Sequence, residues 1–212
     1  MQSHISNLRW GLWTLPASGF IFIIGYLFNG AVPNAANGAA FCMTAFGSPN
    51  FLIGALVNLF GLLLNPFGFI ALYLHLTKGS RNRAADNGII FLIFSLGMIL
   101  TGYGVIAFDL PKLGQLYLQG KTSAELGFSI YTNNIFLIVI IIGQLLYLIG
   151  SVFFSVVFWQ SKNYPKWISI SWVLSAFFLC FGPILPLPAL WAGILGAILL
   201  LISGGWIALK VK

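Results

Sequence analysis

The stretch Leu56–Arg83, LVNLFGLLLNPFGFIALYLHLTKGSRNR, decides how the chain is read. It sets Asn58, Asn65 and Pro66 inside an apolar run and closes on His75 and a basic loop. Gly54, Asn58, Gly61, Asn65, Gly68 and His75 are separated by 4, 3, 4, 3 and 7 residues. At about 100° per residue these positions fall in one narrow sector of a helix. The run is therefore one long apolar helix with a single polar face.

The rest of the chain repeats this composition. Of 212 residues, 59% are hydrophobic and only 6% charged. A soluble core in a chain this size does not absorb that much apolar surface, whereas lipid does. The reading is an all-α polytopic membrane protein, with residues 1–212 forming one domain. Six transmembrane helices are expected, at about 10–31, 51–77, 88–108, 134–159, 167–185 and 188–209. The N-terminal run is read as the first of them, not as a cleaved signal.

Charge placement orients the bundle. Arg9, Lys78, Arg81, Arg83, Lys162, Lys166, Lys210 and Lys212 fall on one side of a six-span layout. Lys112 and Lys121 fall on the other, beside Asp109 and Glu125. This bias places both termini in the cytoplasm and suits a bacterial inner membrane. The net charge of +7 is thus topological and not a nucleic-acid footprint. Residues 32–50 and 109–133 read as outer loops, the second with a short helix behind Thr122-Ser123-Ala124-Glu125, which has capping-box spacing.

Other spans carry similar faces. Gln144, Tyr147, Ser151 and Ser155 share one; Gly97, Thr101 and Gly104 share another. Small and polar residues in membrane helices usually turn toward neighbouring helices. Asn58, Asn65, His75, Thr101, Gln144, Tyr147 and Ser151 are accordingly the candidate ligand-binding residues. Two readings stay open: the faces pack helices together, or they line a cavity for a lipid or small amphipathic ligand.

Several chemistries lack their residues. No Asp, Glu, Lys or Arg lies deep in a span, which argues against proton pumps, ion-coupled carriers and carboxylate metal sites. There is no P-loop, CxxC or HExxH. Ser203 with His75 as a base is a remote protease reading, and two helix-packing glycines beside Ser203 explain that segment without it. One histidine besides His4 makes a bis-histidine haem unsuitable and leaves single-ligand haem or pigment binding open; no cofactor is assigned. Cys42 and Cys180 read as isolated thiols.

Lys162, Pro165, Lys166 and Trp167 form a basic, proline-containing turn, and Trp206 closes the last helix before Lys210. These features resemble a broad class of uncharacterised six-spanning bacterial integral membrane proteins, over about a quarter of the chain. The resemblance implies a six-helix membrane fold and no activity.

The function expected from sequence is non-catalytic: binding of a lipid or hydrophobic ligand, or service as a small subunit of a membrane complex. The alternative is a transporter or channel for a neutral or lipidic solute; an intramembrane enzyme comes third. Expected partners are membrane lipids and other membrane subunits.

Overall fold

The computed structural model describes residues 2–29, 38–77, 81–182 and 189–210. Among these the chain is helical and forms no strand. The helices are α1 (Gln2–Asn29), α2 (Ala39–Phe46), α3 (Pro49–Thr77), α4 (Arg83–Gly104), α5 (Leu110–Leu118), α6 (Ala124–Tyr131), α7 (Asn134–Gln160), α8 (Lys166–Phe181) and α9 (Ala189–Lys210). A single π turn, Val105–Asp109, joins α4 to α5.

Local chemistry sets several of these boundaries. Asn82 caps α4 by accepting from the amides of Ala84 and Ala85, so this helix starts well before the expected residue 88. Asn133 caps α7 in the same way, accepting from Ile135 and Phe136. Pro111 has no N–H to return to the carbonyl four residues earlier, and the helix widens into the π turn just before it. The helical path therefore runs unbroken from Arg83 to Leu118, through what was expected to be the start of a loop. Residues 32–50 are also not all loop, since they contain α2. The short helix α6 is present, but its cap is Ser123, whose Oγ accepts from Leu126, one position beyond the capping box.

The six longer helices α1, α3, α4, α7, α8 and α9 form a closed ring, each packed against the next and α9 against α1. Neighbours run antiparallel. This puts Arg9, Arg81, Arg83, Lys162, Lys166 and Lys210 at one end, the basic end. At the other end α2, α5 and α6 pack on one another and on Phe51, Ala55 and Ala107, forming a cap. The cap includes a backbone-to-backbone crossing of Gly47 and Gly114, where a Cβ on Gly114 would lie 2.6 Å from the Phe46 carbonyl carbon.

The tightest seam joins α1 to α3. Gly11 faces Ala71, Leu15 faces Gly68, Phe22 faces Gly61, Gly25 faces Asn58 and Asn29 faces Gly54. Ser18 faces Asn65. From Leu15 to Asn29 each step of three or four residues up α1 is matched by an equal step down α3, so these contacts lie on the same stripe. A Cβ on Gly25 would fall on the Asn58 amide, and one on Gly54 would lie 2.7 Å from the Asn29 backbone nitrogen. On its other side α1 meets α9, where a Cβ on Gly19 would lie 2.8 Å from the Leu201 nitrogen. The α3 helix passes through Pro66 without interruption.

Among the described residues, five helical stretches are long and apolar enough to cross a membrane: Leu8–Asn29, Pro49–Thr77, Arg83–Leu118, Ala124–Gln160 and Leu190–Lys210. The remaining ring helix, α8, has 16 residues and rises about 24 Å. It ends at Phe181, and residues 183–188, which close the expected fifth span and open the sixth, lie outside the described part. Large apolar side chains such as Phe60, Phe67, Phe94 and Trp191 point away from the ring and are exposed. That outward surface suits lipid.

The glycine positions give a direct contrast. Gly54→Ala is expected to cost about 1–3 kcal/mol through overpacking on Asn29. Gly97, whose Cβ would meet nothing within 4 Å, should tolerate alanine with no loss. Chemical unfolding in mild detergent measures both.

Candidate functional site

Asn65 sits at mid-length on α3 and is 1% exposed. Its Oδ1 accepts from Ser18 Oγ at 2.8 Å, a bond between α1 and α3. Its Nδ2 is buried and finds no hydrogen-bond partner among the described residues. A buried amide left in that state costs roughly 1–3 kcal/mol. Two turns toward the cap, Asn58 is also 1% exposed, and neither its Oδ1 nor its Nδ2 has a partner.

Asn65 opens into a cavity at the centre of the ring. Five helices line it: Phe22 and Tyr26 from α1, Leu62 and Asn65 from α3, Ile99 and Tyr103 from α4, Gln144 and Tyr147 from α7, Leu179 and Cys180 from α8. About 60 Å³ of it is open to the centres of water-sized molecules, room for roughly four of them. Its polar groups are two amides, three phenols and a thiol, and none carries a charge at neutral pH. Such a lining can orient a small solute by hydrogen bonds. It has no carboxylate, imidazole or ammonium for acid–base work.

A second cavity lies between the ring and the cap, with about 80 Å³ open to water-sized centres. Tyr26, Asn29, Phe46, Phe51, Tyr103, Ile106, Leu110 and Tyr131 line it. Asn29 Oδ1 is another buried acceptor without a partner among the described residues. Tyr26 and Tyr103 line both cavities.

Toward the basic end the interior is filled by rings. Phe69 stands 5.9 Å from Tyr147 and 6.1 Å from Trp172, centroid to centroid. Phe158 lies 5.6 Å from Trp172 and 5.4 Å from Tyr164. His75 ends the series, with Nε2 2.7 Å from the Tyr164 hydroxyl. Burial pushes the Tyr164 phenol up to about 12, so it stays protonated and can bond to either tautomer of the histidine.

The seven candidate residues thus separate. Asn65, Gln144 and Tyr147 meet in the central cavity. Asn58 and Ser151 are buried but line neither cavity. His75 lies at the basic end against Tyr164. Thr101 departs from the expected interior stripe: it is exposed on the outer face of α4, and its hydroxyl donates to the Gly97 carbonyl. Gly97 is exposed beside it, because α4 turns Leu92, Leu96 and Ile99 inward instead. Ser203 is fully buried and donates to the Leu199 carbonyl, while His75 is engaged with Tyr164. Tyr26, Tyr103 and Cys180 were missed, since membrane tyrosines read as interface anchors and a lone cysteine as a small apolar residue. Cys42 and Cys180 are both buried and are not joined by a disulfide. Burial raises the pKa of Cys42 in the cap.

The chain matches no family model, no curated protein and no solved structure. Fold and site therefore define its class: an all-helical protein with several helices long and apolar enough to cross a membrane, ringed about a neutral polar cavity.

Two substitutions separate interior from exterior. Asn65→Leu should lower stability by about 1 kcal/mol or more, through loss of the Ser18 bond and crowding of the α1 face. Thr101→Val should leave it within about 0.5 kcal/mol, as expected for a surface position. Thermal unfolding in detergent reads both.

Proposed function

We propose that this is a non-catalytic integral membrane protein that binds a small, neutral, hydrogen-bonding ligand in its central cavity. On this reading all six ring helices cross the bilayer, and the basic end with both termini faces the cytoplasm, as in a bacterial inner membrane. The short α8 spans with help from Lys166 and Trp167 at its start, which reach into the headgroup layer. Lys166 lies over the Trp159 ring at 4.8 Å and Lys210 over the Trp206 ring at 5.4 Å, which supports an interface at that depth.

One observation carries the binding reading: Asn65, 1% exposed and with an unpartnered Nδ2, belongs to the lining of a cavity whose other polar groups are also neutral. A packing role alone accounts for the Oδ1 bond to Ser18 but leaves the buried Nδ2 donor beside the cavity without a partner. The absence of charge in the lining favours an uncharged ligand, because an ion there would lack a counter-charge in a low-dielectric interior. The cavity is too small for a whole lipid, which narrows the ligand to a small polar molecule or a water cluster.

A carrier of such a solute is the second reading. It is favoured by the second cavity, which shares Tyr26 and Tyr103 with the first.

Native mass spectrometry of the protein released from nanodiscs tests the binding reading. The expected result is a small neutral adduct on the wild type that is depleted in Gln144→Leu and Tyr147→Phe. Identical spectra for the wild type and both variants would reject it.

A further inference from the structure

The interior is not symmetric along the bundle axis. Its basic half is closed by a continuous series of rings, from Tyr147 through Phe69, Trp172 and Phe158 to Tyr164 and His75, with centroids 5.4 to 6.3 Å apart. Its cap half holds both cavities. The two share Tyr26 and Tyr103, from facing helices α1 and α4, and only those two among their linings. Asn29, with its unpartnered Oδ1, belongs to the cavity under the cap, and Asn65, with its unpartnered Nδ2, to the central one.

We propose that the cap cavity is a second, outer binding site for the same neutral solute, that the solute enters from the cap end, and that Tyr26 and Tyr103 form the gate between the two sites. Asn29 and Tyr131 hold the solute at the outer site; Asn65, Gln144 and Tyr147 hold it at the inner one. A pair of phenols suits this role. Each presents an apolar ring that excludes water when the pair closes and a hydroxyl that hydrogen-bonds a passing solute when it opens. The roof over the outer site includes two helices of only eight residues, α2 and α6. Helices that short hold their form only through packing, and such elements open locally at low free-energy cost.

The identity of the solute rests on the ligand-binding reading given above; the route and the gate do not. Cys180 lines the inner site and reports on the route directly. In a Cys42→Ala background it is the sole cysteine. The probe is methyl methanethiosulfonate, small and uncharged, with labelling followed by intact mass on protein in nanodiscs. Tyr26→Ala and Tyr103→Ala are the gate variants. Tyr164→Ala and Trp172→Ala loosen the basic end. Retained monodisperse elution is required of each, and one folded variant per end is enough.

The expected result is a rise of about tenfold or more in the Cys180 labelling rate when either gate tyrosine is truncated, with no change when the basic end is loosened. A rise only on loosening the basic end would overturn the proposal. So would a rate indifferent to all four variants, which would mean lateral access from lipid. Loss of the native adduct with the labelling pattern intact would remove the ligand reading and leave the route standing; the converse would remove the route alone.

Discussion

The contact between α1 and α3 is the constraint from which the rest of the bundle follows. In lipid there is no hydrophobic force to press one apolar helix on another, so association depends on close packing and polar bonds. Along this seam glycines on one helix face bulk on the other: Gly25 receives Asn58, Gly54 receives Asn29 and Gly61 receives Phe22. Only these steps bring every glycine opposite a side chain, so the register is fixed. The helix α1 then presents Gly19 to α9, which brings the last helix beside the first and closes the ring.

Closure of the ring creates an inside, and the inside is divided by chemistry. At the basic end Phe69, Tyr147, Phe158 and Trp172 interdigitate edge to face or tilted, as aromatic groups prefer. Toward the cap the helices contribute tyrosines and amides whose polar ends require partners. The residues that line the central cavity carry no formal charge.

The face of α3 was legible in sequence because it repeats over six positions at helical spacing, and Gly54, Asn58, Gly61, Asn65 and Gly68 are all buried. The same reasoning failed at Gly97 and Thr101. Glycine and threonine are tolerated on a lipid face, since glycine has no polar side chain to hide and the threonine hydroxyl bonds its own helix. The cap was hidden for a different reason. Its helices are short, α2 has no side-chain cap bond, and Pro111 reads as a stop signal although a π turn absorbs it. Asn133 caps α7 where the apolar run begins, as expected, whereas the Asn82 cap starts α4 ahead of its apolar run, which is why that start was placed too late. The cavity itself had no signature, because its lining is drawn from five helices that only the ring order brings together.

The central claim is that glycines on α1 and α3 fit side chains of the facing helix as specific pairs, and a double-mutant cycle on Gly25 and Asn58 tests it most directly. Gly25→Ala alone sets a methyl on the Asn58 amide and should lower the unfolding free energy by about 1–3 kcal/mol. Adding Asn58→Gly removes the obstruction, so the pair should recover most of that loss, with a coupling of about 1 kcal/mol or more. Losses that add within about 0.5 kcal/mol would show that the two positions do not meet, and would contradict the seam on which the ring and its cavity depend.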